Sequence, residues 1–270
     1  MPNICLTLAY DGTNYCGWQV QSNGPSIQAV VEKAVQKLTG EKSAVFSAGR
    51  TDSGVHALGQ VANFKTSSRI PEPNWRSALQ AFLPGDIIIR EAHIVPDAFH
   101  STFSAIKKRY RYVIYNGPAF FPFLRNYTHV IHKPLDEQRM HEAGQRLLGM
   151  HDFRSFETDW PNKATSVRTV MEVTFRRDDV WPVWSLPLTG IGTPGKLGDF
   201  ICMDIVADGF LYNMVRSIVG TLINVGRGRW SADDITRILA AQDRSIAGNT
   251  APACGLYLVQ VDYPTADKSQ

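Results

Sequence analysis

Residues Asn3 to Gly12, NICLTLAYDG, alternate apolar and polar side chains and then stop at Asp-Gly. Period two ending in a turn dipeptide reads as a half-buried strand entering a turn. Behind it comes DGTNYCGWQVQSNG, a glycine-broken loop that carries Tyr15 and Trp18. From Ser26 the spacing changes: Ile27, Val30, Val31, Ala34, Val35 and Leu38 recur at helical intervals and Gly40 supplies a stop, so a helix is predicted. VFSAG and GQVANFKT then read as strands, PNWRSALQAFLP as a second helix with Trp75, Ala78, Leu79 and Phe82 on one face, and DIIIREAHIV as a further strand.

The same order returns in the second half. KRYRYVIYN reads as a strand, DEQRMHEAGQRLLG as a helix, and TVMEVTFRR and DFICMDIVADG as strands. FLYNMVRSIVGTLINVG and SADDITRILAAQD follow as helices, the last opened by an S-x-x-D capping pattern at Ser231. Such runs argue an α+β chain of two α/β units, residues 1–105 and 106–264. Each is expected to be an antiparallel-leaning sheet with its helices on one face, the two open faces meeting across a groove. The Pro- and Gly-rich stretch at 179–198 reads as an insertion in the second unit, and 265–270 as a frayed tail.

The 270 residues are 44% hydrophobic, enough for a packed core, which excludes a disordered chain. A net charge of +3 is too small to argue a polyanionic partner, so a nucleic-acid reading must rest on where the cations sit. Cys5, Cys16, Cys202 and Cys254 are scattered, with no C-x-x-C pair and no histidines at ligand spacing; reduced thiols and no metal are expected. The N-terminus lacks the basic and apolar regions of a signal peptide, and no run reaches about 18 apolar residues. A soluble, cytoplasmic protein without a membrane segment is expected.

In SAGRTDSGVHALGQVANF, Ser47 to Phe64, Asp52 stands among glycines beside Arg50, Ser53 and His56. An aspartate next to glycine is a common turn former. DSG also fits an aspartic-protease triplet, but that chemistry needs a second carboxylate loop and the chain has no other D-[ST]-G. Ser53 and His56 have no forced geometry and G-x-S-x-G is absent, which argues against a hydrolase.

SAIKKRYRYVIY, Ser104 to Tyr115, interleaves Lys107, Lys108, Arg109 and Arg111 with Tyr110, Tyr112 and Tyr115. Period two puts Tyr110 and Tyr112 on one face with Lys108, and Arg109 and Arg111 on the other. That suits an edge strand protected by charge, or a tyrosine platform for a base beside phosphate-binding cations. In the helix from Phe210, Leu211, Met214, Val215, Ile218, Leu222 and Val225 form an apolar stripe, with Asn213, Arg216, Ser217, Gly220 and Asn224 opposite. Arg216 on so apolar a helix either faces solvent or neutralises a carboxylate, for which Asp52 is a candidate, and Gly220 favours close approach by another element. VGRGRWS places Arg227 and Arg229 beyond the helix, as a solvated loop or as contacts to a phosphate backbone.

Six stretches in order resemble the TruA family of tRNA pseudouridine synthases: YDGTNYCGWQ, GRTDSGVHALGQ, FSAIKKRYRY, GMHDFRSF, FLYNMVRSIVG and APACGL. The resemblance spans nearly the whole chain. It implies two ferredoxin-like, RRM-like α/β domains whose antiparallel sheets flank a positively charged RNA-binding cleft, a homodimer, and isomerisation of uridines in the anticodon stem-loop of tRNA. It implies no cofactor and no metal. Asp52 matches the family's catalytic aspartate, Arg50 the arginine that holds the flipped-out base state, and Tyr110 the tyrosine that stacks on the target base. Arg216 matches the arginine that pairs with the carboxylate, and Leu256 an apolar wall of the pocket. Lys107, Arg109, Arg227 and Arg229 are the expected RNA contacts. Two departures stand out: FHSTFSA has Ser101 and Thr102 where the family commonly has F-H-A-R-F, and Trp181–Lys196 is longer than the family's usual connection.

Pseudouridine formation breaks the bond from ribose C1′ to N1 of uracil, turns the base and rejoins C1′ to C5. Nothing is transferred from outside, so cofactor motifs are not needed. Glycoside hydrolysis uses two carboxylates because one activates water; here water is the wrong nucleophile, and one carboxylate suffices. Covalent attack by Asp52 and deprotonation of the sugar both remain open. The rival reading is a non-catalytic RNA-binding protein with RRM-like sheets.

Overall fold

A computed structural model describes residues 1–118, 122–158, 165–178 and 199–264. The expected insertion and tail, 179–198 and 265–270, lie outside the described residues. The chain is mixed α and β: ten strands and five α-helices among the described residues. It divides into two compact units, Met1–Lys108 with Tyr257–Gln270, and Arg109–Leu256.

In the first unit, β1 (Asn3–Tyr10) lies between β3 (His56–Lys65) and β4 (Ile87–Val95), antiparallel to both, with Leu6 opposite Ala62 and Ala92. The predicted alternation holds: Ile4, Leu6, Leu8 and Tyr10 are buried on one face. A two-residue strand, β2 (Phe46–Ser47), pairs with β3. On the other side of β3 runs β10 (Leu256–Asp262), parallel to it at Tyr257 opposite His56; this strand is not among the predicted elements. Helix α1 (Ile27–Thr39) starts where the Ser26 hydroxyl accepts from the Ala29 amide and ends at Gly40 in the left-handed region, φ 77°. Its buried Ile27, Val31, Ala34 and Val35 are the predicted stripe.

Helix α2 (Trp75–Gln80) is shorter than its sequence suggests. Its last turns tighten, with the Phe82 amide bonded to Leu79 and that of Leu83 to Gln80, and this i to i−3 winding rotates Phe82 out of the apolar face. Phe82 is 42% exposed rather than packed with Trp75 and Leu79.

In the second unit, β5 (Lys107–Tyr115), β9 (Phe200–Ala207), β8 (Val167–Asp178) and β7 (Gly149–Asp152) follow one another across the sheet, with β6 (His129–Val130) parallel to β5. β5 is therefore an inner strand and not the charge-protected edge that its composition allows. β9 is buried at every position, as a central strand covered on both faces requires. Helix α3 (Glu137–Gly144) is capped by Asp136, and α5 (Ala232–Ala241) by the predicted box of Ser231 and Asp234.

Helix α4 (Met214–Gly226) begins four residues later than its pattern suggests, because Asn213 takes a left-handed backbone, φ 61°. Its apolar stripe is buried as expected, while Asn213, Arg216, Gly220 and Asn224 opposite are half-buried and Ser217, with Thr221 beside it, is fully enclosed. Their hydroxyls are satisfied: Ser217 and Thr250 share a hydrogen bond at 3.4 Å, and Thr221 donates to the Ser217 carbonyl and accepts from the Gly248 amide. Gly220 is the point of closest approach, since a Cβ there would fall on the Asn249 carbonyl oxygen. All four cysteines are free thiols. No helix of the described residues is long and apolar enough to cross a membrane.

Candidate active site

Asp52 sits on the loop from β2 to β3, and its backbone is held by the loop that follows β1. The Trp18 amide donates to the Thr51 carbonyl, and the Gly54 amide and the Ser53 hydroxyl both donate to the Tyr15 carbonyl. Tyr10 and Thr51 share a hydrogen bond between hydroxyls at 2.8 Å, and the Gln60 amide donates to the Gly49 carbonyl, also at 2.8 Å. Gly17, with φ 93°, lets this happen: any Cβ would strike the Thr51 carbonyl oxygen. YDGTNYCGWQ and GRTDSGVHALGQ are thus one structure, and Asp52 opens the turn its setting suggests, its carbonyl accepting the Val55 amide at 3.1 Å. Asp52 is half-buried and Arg50 exposed.

His56 is not poised for chemistry. It is buried and stacked on Tyr257, ring centres 4.8 Å apart. Its Nδ1 accepts the Gly12 amide at 3.1 Å and lies 3.2 Å from an Asp11 oxygen. One nitrogen cannot accept the amide and donate to the carboxylate at once, so while Nδ1 takes the Gly12 amide it does not donate to Asp11.

Ser101 and Thr102, the departure from F-H-A-R-F, act within the protein. Their hydroxyls donate to the Phe46 and Ser47 carbonyls at 2.7 and 2.6 Å, strapping the turn before β5 onto β2.

On β5 the period-two reading of faces holds. Arg109 makes a bidentate pair with Glu172 and Arg111 with Asp204, the latter at 2.7 and 2.8 Å. Arg176 reaches the same Asp204 at 3.2 Å. Burial alone would raise the Asp204 carboxyl, but hydrogen bonds and charge from Arg111, then Arg176, hold it below the usual carboxylate range. The hydrogen bonds that Arg109 donates to Glu172 raise its guanidinium further. Lys107 lies 3.4 Å from Asp262. Two of the expected RNA contacts, Lys107 and Arg109, are therefore already ion-paired. On the other face Tyr110 is 7% exposed with its ring edge-on to Phe210 at 5.0 Å, while the Tyr112 hydroxyl donates to the Pro252 carbonyl.

Arg216 does not simply face solvent. Its Nε donates to the Ala251 carbonyl at 2.8 Å and a terminal nitrogen to the Asn213 side-chain oxygen at 2.7 Å, while the Ala251 amide donates back to the Arg216 carbonyl. The APACGL segment thus joins the tyrosine face of β5 to the arginine of α4, and leads into the buried Leu256. Arg227 and Arg229 are exposed, and neither forms an ion pair among the described residues. Asp52, Arg50 and Lys107 belong to the first unit; Tyr110, Arg109, Arg216, Arg227, Arg229 and Leu256 belong to the second.

A family model described as tRNA pseudouridine synthase matches residues 7–104 and 143–264. The chain belongs to the tRNA pseudouridine synthase family. A protein named tRNA pseudouridine synthase A from Acetivibrio thermocellus is 47% identical over 264 residues, covering 97% of this chain and all of that one. Like-named proteins from Thermoanaerobacter sp. (strain X514) and Rhodopseudomonas palustris (strain BisA53) are 43% and 44% identical, each over 97% of this chain and their full lengths.

Within this member of the family, the loop of Asp52 falls in the first matched stretch and Arg216 and Leu256 in the second, while Tyr110 lies between the two. Chemically, the first unit offers a carboxylate on a backbone braced from three sides, and the second a guanidinium oriented by two acceptors. Sequence reasoning missed Glu172 and Asp204, which lie 63 and 93 positions from their arginines, and the Ala251 carbonyl, which no side-chain motif reports.

Proposed function

We propose that this protein converts uridine in the anticodon stem-loop of tRNA to pseudouridine, with Asp52 as the reacting carboxylate. The observation that carries this reading is membership of the pseudouridine synthase family over almost the full length, with Asp52 inside the matched GRTD stretch. The reaction conserves atoms and electrons: the C1′–N1 bond breaks, the uracil turns, and C1′–C5 forms as the C5 proton is lost and N1 gains one.

In this reading Asp52 must be ionised to attack or to take a proton, and burial under bound RNA disfavours that unless a cation stands opposite. Arg216 is assigned that role, its orientation supported by the Ala251 and Asn213 acceptors. Arg50, exposed and two residues from Asp52, is assigned to the extruded base. Leaving the stack costs a few kcal/mol, and stacking on Tyr110 returns about 1–3 kcal/mol. Leu256 walls the pocket. Arg227 and Arg229 contact phosphate more readily than Lys107 and Arg109, which would first have to leave Asp262 and Glu172. Two ferredoxin-like domains and a homodimer complete the reading.

Release of tritium from uridine labelled at C5 in a tRNA transcript tests it. Wild type releases tritium, and Asp52→Asn binds the transcript and releases none. Equal release from both overturns the assignment of Asp52.

A further inference from the structure

We propose that the cavity between the C-terminal end of α4 and the 247–252 segment is a subsite for one nucleotide of the bound tRNA other than the reacting uridine. This rests on the reading of tRNA as substrate given above. The cavity opens to solvent, holds about 390 Å³, and is lined by residues that include His129, Asn224, Arg227, Trp230, Asn249 and Thr250. All belong to the second unit. The volume lies in the range of small-ligand sites, which begin at roughly 300 Å³.

The lining chemistry selects the occupant. Trp230 and His129 supply flat rings, Asn224 and Asn249 supply amides that read the edge of a base, and Arg227 supplies a cation. None of the lining residues is acidic. A helix C-terminus by itself disfavours an anion, so the Arg227 charge is what makes phosphate welcome here. Arg227 forms no ion pair among the described residues. His129 Nδ1 is buried without a hydrogen-bond partner among the described residues, an arrangement that costs free energy unless something arrives to pair with it. Burial, and then the charge of Arg227, push the imidazole down to about 4, so at neutral pH the site presents one positive charge beside one neutral ring. A single cation, a ring wall and amide donors and acceptors match a nucleotide unit better than a free dianion or an apolar ligand.

Position distinguishes this nucleotide from the reacting one. Asn224 follows Arg216 by eight residues along α4, about 12 Å at roughly 1.5 Å per residue. The lining also includes Ala251, whose carbonyl accepts from Arg216, so a nucleotide held by Asn224 and Arg227 is a near neighbour of the one at Arg216.

The test uses full-length protein, tRNA transcript and uridine monophosphate. Binding of tRNA is measured against salt for wild type, Arg227→Ala, Arg227→Lys and Trp230→Ala, after urea unfolding has compared their stabilities. Arg227→Ala is expected to weaken binding several-fold and to lower the slope of log affinity against log salt by about 1, while Arg227→Lys restores the slope. Trp230→Ala is expected to weaken binding about tenfold with the slope kept. Uridine monophosphate, bound by wild type and lost in Arg227→Ala, is expected to be displaced by tRNA. If affinity and slope are unchanged in all variants while wild type still releases tritium, the subsite is wrong and the function stands. If uridine monophosphate binds but tRNA does not displace it, the cavity serves a free nucleotide and the proposal fails. If wild type releases no tritium, the functional reading fails and the subsite falls with it.

Discussion

The carbonyl oxygen of Asn249 occupies the place where a side chain on Gly220 would begin. Because the Ala251 amide bonds to the Arg216 carbonyl and its own carbonyl receives the Arg216 guanidinium, this backbone approach sets where Arg216 points. Gly220→Ala must push the 249–251 segment away. Overpacking of this kind costs about 1–3 kcal/mol, read as a lower urea midpoint, and turnover should fall more than tRNA affinity because the guanidinium moves with the segment.

Gly17→Ala carries the same logic to the Asp52 loop. The substitution meets both an unfavourable φ of 93° and the Thr51 carbonyl, so the expected loss is about 2 kcal/mol with tritium release nearly abolished. Gly40→Ala is the comparison: its φ is 77°, yet nothing lies within 4 Å of the new methyl. It should cost about 1 kcal/mol, from backbone strain, and leave turnover intact.

Arg111→Met leaves Asp204, whose side chain is 7% exposed, with Arg176 alone. A cost of about 2–4 kcal/mol is expected by urea unfolding, and the double variant Arg111→Met with Asp204→Leu should recover part of it. The Asp204 carboxyl is held below its unfolded value of about 3.9, so its contribution is present above that pH and is lost as pH falls through the lower folded value. In Arg111→Met burial of Asp204 is opposed by Arg176 alone, the folded value moves back up, and this acid loss should shrink.

His129 behaves in the opposite sense. The folded protein keeps the imidazole neutral down to about 4, whereas the unfolded chain charges it below about 6.5. Protons therefore favour unfolding as pH falls from 6.5 towards 4, and stability at pH 7 is unaffected. The loss should be on the order of 2 kcal/mol across that window in wild type, and His129→Gln should show a correspondingly flatter profile of urea midpoint against pH.

Much of this molecule is legible one segment at a time. The alternation of β1, the stripe and caps of α1, the capping box of α5 and the two faces of β5 follow from periodicity and a few capping residues, because each depends on neighbours within about four positions. The GRTD loop is recognisable from its residue types alone. Departures occur where distant chain intervenes: Phe82 swings out as α2 tightens, Asn213 delays α4, and Ser217 and Thr221 are enclosed by a segment about 30 positions further on.

The residues of the candidate site were thus present in the sequence, but not their electrostatic state. Nothing local says that Arg109 is taken by Glu172, that Arg111 is taken by Asp204, or that Arg227 forms no such pair among the described residues. Nor does composition show that a backbone carbonyl at Ala251 orients Arg216. Sequence by itself determined most of the elements, their order and the family, but not β7 or β10. Only the tertiary structure decided which charges are neutralised and which backbone braces Asp52, because those depend on strand register and on glycines that let two backbones touch.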